Sequence, residues 1–198
     1  MRIETRTIVV GSALVAAGLG LAFTAAGGGY TKEGLMAGAR ITARWSFLWF
    51  MAAWTASALA GLWPGGWRTV LLRRRRAVGI AFAADHFVHL GFVLAWASHE
   101  QINLVKIGLL DGWICYLLIG AMAVTSHNAA QRWMGMARWR WLQRIGGWLA
   151  LYVFFHLYSG RLADQPATAG PAVALIVAAV ALRAAAWLKS RRSQAQAA

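Results

Sequence analysis

The sequence predicts an all-helical membrane protein: a bundle of six transmembrane helices with its N-terminus and C-terminus in the cytoplasm. Three observations carry this. Of 198 residues, 60% are hydrophobic and only 13% are charged, against about 25% charged in an average soluble domain. The apolar residues gather into long stretches of about the 20 residues that a helix needs to cross the hydrocarbon core. The Lys and Arg residues between those stretches fall unequally on the two sides, which sets orientation.

The stretches, in order, are 7–27, 45–63, 77–97, 105–125, 145–162 and 171–188. Each must be helical, because within lipid a helix satisfies its own backbone hydrogen bonds. With the N-terminus inside, fifteen basic residues face the cytoplasm: Arg2, Arg6, Arg68, Arg73 to Arg76, Arg132, Arg138, Arg140, Arg144, Arg183, Lys189, Arg191 and Arg192. Five face out: Lys32, Arg40, Arg44, Lys106 and Arg161. The expected organisation is one bundle over residues 1–189 and a short disordered cytoplasmic tail over 190–198. Residues 1–27 also have the basic start, apolar centre and small residues of a signal peptide. A retained first helix and a cleaved one leave the same loops inside.

The net charge of +14 would suggest nucleic acid in a soluble chain. Here the basic residues punctuate apolar runs, and topology explains them. The single Cys115 excludes an intrachain disulfide framework and a cysteine-rich metal cluster. Twelve Trp residues suit membrane interfaces. Trp133, Trp139 and Trp141 alternate with Arg138 and Arg140. That mixture fits a segment lying on an anionic leaflet, or a docking surface for an electron donor.

Ionisable groups within spans are costly and are functional candidates by default. The third stretch holds Asp85, His86 and His89, the fourth Asp111 and the fifth His156. His99 and His127 fall at boundaries, where a solvated side chain is expected. His89 lies 13 residues after Arg76, and His156 lies 12 residues after Arg144. At 1.5 Å per residue both sit about 18–20 Å along parallel helices. Two neutral imidazoles at one depth can ligate a haem iron axially. Alternatively, each bonds a carbonyl within the bundle. His86 competes with His89 but is rotated about 60° around the helix. Asp85 could orient an imidazole, or pair with Lys106 or a backbone group.

These residues also carry a resemblance. RRRRAVGIAFAADHFVHL resembles the third-helix pattern of the ferric-reductase-like transmembrane family, with paired arginines, a glycine (Gly79) and a histidine (His89) ten residues later. TSHNAAQRWMGMARWRWLQRIGGWLALYVFFHLY resembles that family's fourth loop and fifth helix through Thr125, Ser126, Gln131, Arg132, Gly135, Leu142, Arg144 and His156. TARWSFLWF, from Thr42, resembles the start of its second helix. The likeness covers about residues 40–160. By layout it is nearest to members that serve as the haem-binding membrane subunit of periplasmic methionine-sulfoxide reductase systems.

The resemblance implies one haem b with His89 and His156 as iron ligands. Where the family carries the first histidine of its fifth-helix pair, this chain has Gln143, so a second, inner haem is not expected. Arg40 and Arg44 fall at the outer level, where guanidinium groups suit haem carboxylates; simple snorkelling to the interface explains them equally well.

The expected function is transmembrane electron transfer in a bacterial inner membrane. Electrons would pass from the quinone pool or a flavoprotein to a periplasmic redox partner, as in an oxidoreductase subunit. A bound flavin is possible, but no sequence feature calls for one. Gly27, Gly28 and Gly29 follow a span and form no dinucleotide-binding motif. The alternative is a cofactor-free scaffold or transport component, whose histidines and aspartates are structural or part of a proton path.

Overall fold

A computed structural model describes residues 4–103 and 112–197 of the chain. Among these residues there are seven helices and no strand: α1 (Thr5–Ala26), α2 (Lys32–Leu62), α3 (Gly66–His99), α4 (Trp113–Val124), α5 (Asn128–Met134), α6 (Met136–Ser159) and α7 (Pro166–Ala197). Four of them, α1, α2, α3 and α7, are long and apolar enough to cross a membrane. The pair α4 and α5 makes a fifth if taken as one broken span, since the two are bent by 105°.

The helices depart from the expected stretches in several places. α2 begins at Lys32 rather than residue 45 and α3 at Gly66 rather than residue 77, so Arg40, Arg44, Arg68 and Arg73 to Arg76 lie within helices rather than loops. α6 begins at Met136, so Arg138, Arg140 and Arg144 are its first turns rather than a loop; those charges leave it out of the uniformly apolar set. The segment expected to hold the start of the fourth span, with Lys106 and Asp111, lies outside the described residues. The tail expected to be disordered from residue 190 is instead the end of α7. Ala, Arg and Gln are strong helix formers and no Gly or Pro interrupts them, while Ser193 bonds the Lys189 carbonyl at 3.2 Å.

Turns are made where the chain needs a left-handed backbone. Gly28 and Gly29 (φ 103° and 75°) join α1 to α2, Gly65 and Gly66 (111° and 54°) join α2 to α3, and Gly135 (78°) joins α5 to α6; only glycine enters that region without steric cost. Thr31 then caps α2, its hydroxyl accepting from the Gly34 N–H at 3.2 Å, with Glu33 in the favourable first turn.

α1 packs on α2 and α3 through small residues. A Cβ at Gly34 would fall on the Gly29 carbonyl oxygen and 2.7 Å from that of Thr24. One at Gly38 would fall on the Thr24 hydroxyl and 2.9 Å from the Gly20 carbonyl. Gly34 and Gly38 are four apart, the small-residue spacing that lets membrane helices approach closely.

α2 and α3 are antiparallel neighbours, and every fourth residue of α2 forms a rung. Thr42 meets His89, Ser46 meets His86, and Phe50 meets Phe82. Near the far end, the Ala53 carbonyl accepts from Arg75 Nε at 3.0 Å. The core continues from this seam into Ile119 of α4, Ala150, Leu151 and Phe154 of α6, and Ile176 of α7. Phe154 lies at its aromatic centre, with ring centroids 5.1 Å from Phe47 and 5.5 Å from Phe50.

Candidate functional site

The polar groups of the bundle interior converge on the first two rungs of the α2–α3 seam. His89 Nδ1 is 3.2 Å from Thr42 Oγ1, and His86 Nδ1 is 3.1 Å from Ser46 Oγ. The hydroxyl protons are already committed. Thr42 donates to the Gly38 carbonyl at 2.8 Å, and Ser46 donates to the Ala43 carbonyl at 2.9 Å. Each hydroxyl oxygen keeps a lone pair that can accept from an imidazole Nδ1–H, the tautomer that would leave Nε2 to a metal.

The two rings differ in surroundings. His86 is 9% exposed and is enclosed by Tyr116 (4.9 Å between centroids), Phe82 (5.5 Å) and Phe154 (5.8 Å). His89 is half-buried, with its ring 5.4 Å from that of His86. His156 is exposed and stacks on Tyr152 of its own helix, at 6.0 Å and 13° between planes. The buried residues of α6 are Gly146, Ala150, Leu151, Val153 and Phe154. Thus His86 and His89 are brought together against α2, and Phe154 is the α6 side chain that meets His86.

Asp85 does not orient either imidazole; the hydroxyls do. Its side chain is fully buried, and neither carboxylate oxygen has a hydrogen-bond partner. Ser12 and Trp45 face it, but Ser12 donates to the Val9 carbonyl at 3.1 Å and the Trp45 N–H is itself unpaired.

Toward the N-terminal end of α2, Arg40 and Arg44 line a small cavity of about 30 Å³ together with Arg161, Tyr158, Gln165 and Thr168. Three guanidinium groups around a space of that size suit a carboxylate. Nearby, Lys32 pairs with Glu100 at 3.1 Å, and His99 sits 3.2 Å from the same carboxylate. The Lys32 ammonium and then His99, as hydrogen-bond partners, hold the Glu100 carboxyl below the usual range.

The remaining boundary residues have local roles. His127 caps α5, its Nδ1 accepting from the Ala130 N–H at 3.1 Å. Thr125 and Ser126 close the end of α4 by donating to the Ala121 and Met122 carbonyls, each at 2.6 Å. Gln143 donates to the Met122 carbonyl at 3.0 Å and so ties α6 to α4.

Sequence reasoning singled out His86, His89, His156, Arg40 and Arg44 as candidates. It missed Thr42, Ser46 and Arg161. The first two carry one available signal, hydroxyl residues four apart in an otherwise apolar stretch. The described residues offer two interior imidazoles on α3 and, toward one end of α2, arginines suited to carboxylates, while His156 is exposed on α6 and stacks on Tyr152. No group of three or more His, Cys, Asp or Glu side chains that could hold a metal ion occurs among the described residues. Compared with known protein families, characterised proteins and solved structures, the chain matches none of them.

Proposed function

We propose that this chain is a multi-pass inner-membrane protein that binds one haem b and passes electrons across the bilayer, in the manner of the ferric-reductase-like family it resembles. The observation that carries the reading is the pair of intramembrane histidines whose Nδ1 atoms are fixed by Thr42 and Ser46. Such an arrangement orients an imidazole and leaves Nε2 to a metal.

In this reading His89 and His156 hold the iron, with His86 as the competing ligand on α3. Arg40 and Arg44, joined by Arg161, receive the haem carboxylates. A bound haem supplies one-electron chemistry at its iron. The chain's own residues fix the imidazole tautomers, exclude water with Phe82, Phe154 and Tyr116, and place positive charge at one end. The donor is a quinone or a flavoprotein, and the acceptor is a redox protein on the outer side.

Six spans with cytoplasmic termini complete the proposal. α6 is 24 residues long, about 36 Å at 1.5 Å per residue, and crosses with its arginines at the inner interface. The packing of α1 against α2 and α3 supports a retained first helix.

The test is the visible spectrum and haem-to-protein ratio of the detergent-purified protein. A b-type Soret band is expected, with near-complete loss of haem in His89→Ala and in His156→Ala, a smaller loss in His86→Ala, and one haem retained in Gln143→Ala. Full haem in all three histidine variants would overturn the ligand assignment, and a purified protein without a Soret band would overturn the reading and leave a cofactor-free scaffold or transport component.

A further inference from the structure

A second cavity lies at the opposite end from Arg40 and Arg44, and no histidine lines it. It has a volume of about 570 Å³ between α2, α3, α4, α6 and α7. Six arginines line it: Arg73, Arg75 and Arg76 from α3, Arg140 and Arg144 from α6, and Arg183 from α7. No Asp or Glu is among its lining residues. Trp54, Trp139 and Trp148 form part of its wall.

Two of these guanidinium groups are held in place. Arg75 Nε donates to the Ala53 carbonyl at 3.0 Å, and Arg183 donates to the Trp54 carbonyl at 2.9 Å while lying 4.3 Å over the Trp54 ring. Trp54 is in turn packed edge-on against Trp148 at 5.2 Å. Arg76 bonds the Asn128 side chain at 2.7 Å. Among the described residues, the acceptors that these three meet are neutral. Arginines that merely snorkel from separate helices would spread into the headgroups; these converge on one space. Six like charges around a common cavity, with no acid among them, leave a site whose repulsion an anion would relieve. Guanidinium groups match phosphate oxygens in pairs.

We propose that this cavity is a binding site for phosphate esters, with the arginines on the phosphate and the tryptophans beside the apolar or ring portion. The phosphate comes either from an anionic phospholipid, for which basic pockets between membrane helices are suited, or from a soluble phosphorylated molecule. The two sources share the chemistry and differ in what competes.

The first arm uses the full-length protein extracted in mild detergent from vesicles of phosphatidylcholine containing a minority of cardiolipin. Native mass spectrometry counts the retained anionic lipid. The variants are Arg140→Gln with Arg144→Gln, and, as a charge-matched control outside the cavity, Arg191→Gln with Arg192→Gln. Retention is expected to fall at least about tenfold in the first pair, as charge-assisted hydrogen bonds are lost, and to stay unchanged in the control. Arg140→Lys with Arg144→Lys guards against misfolding, and partial retention is expected there. The second arm titrates lipid-free protein with inorganic pyrophosphate and follows tryptophan fluorescence. Pyrophosphate that binds and displaces cardiolipin assigns a soluble source; cardiolipin retained against excess pyrophosphate assigns the lipid. Equal loss of lipid in both Gln pairs, or binding of neither probe, would overturn the proposal.

Discussion

At the residue scale, the two hydroxyls opposite the α3 histidines are the most informative side chains. Thr42→Val keeps the shape of residue 42 but removes the hydroxyl that bonds His89 Nδ1, and Ser46→Ala does the same for His86. If His89 is the axial ligand, Thr42→Val should lower haem affinity by roughly 10–100-fold, the usual range for partners of a metal-binding histidine. Ser46→Ala should then change it far less. The opposite ranking in a haem titration would assign the ligand to His86. A second residue-scale expectation concerns pH. Glu100 is a carboxyl held low by Lys32 and His99. Its contribution is fully present above the ordinary carboxylate range and is lost as pH falls through its lowered value. Infrared titration of the carboxyl should show it ionising at lower pH than a free glutamate, and Lys32→Gln should move it upward. No upward movement in Lys32→Gln would show that the ion pair does not set its value. The histidines were legible in the sequence because an ionisable group in an apolar stretch is conspicuous. Thr42 and Ser46 were not, because a hydroxyl in a membrane helix ordinarily satisfies itself on its own helix carbonyl, and both also do that here.

At the element scale, the apolar stretches of the sequence located α1, α2, α3 and α7, but α2 and α3 extend through Arg40, Arg44 and Arg73 to Arg76, which read as loop. α6 likewise runs straight through Arg138, Arg140 and Arg144, which read as loop. α5 was not foreseen; it depends on the His127 cap and the positive φ of Gly135, which periodicity does not reveal. The α1–α2 contact gives a sharp prediction. A methyl at Gly34 meets two backbone carbonyls, which cannot swing aside as a side chain can. Gly34→Ala should therefore force α1 away from α2 and destabilise the protein by about 1–3 kcal/mol, the ordinary cost of overpacking. Gly11→Ala, where a Cβ meets nothing within 4 Å, is the control and should leave thermal stability unchanged. Equal stability of the two variants would show that the close approach is not needed.

At the scale of the whole molecule, the basic residues separate into two populations. Arg40, Arg44 and Arg161 gather at one end of α2, while Arg73, Arg75, Arg76, Arg140, Arg144 and Arg183 gather toward the other. Lys189 joins the second group by bonding the last carbonyls of α2, Gly61 and Leu62, at 3.2 and 3.0 Å. With the larger group inside, reporter fusions after Arg76 and after Arg144 should report cytoplasm, and fusions after Glu100 and Arg161 should report the outer side. Fusions with the opposite pattern would reverse the direction of electron flow proposed above. The rungs between α2 and α3 have a mechanical meaning as well. They are chemically unlike: two hydroxyl–imidazole contacts, then a ring on a ring, then a carbonyl on a guanidinium. Sliding α3 by one helical turn, about 5.4 Å, would bring His89 to Ser46 but set His86 against Phe50. The seam thus works as a vernier that closes at a single reading. It stiffens this helical hairpin against shear, and any working motion of the protein is left to the helices packed around it.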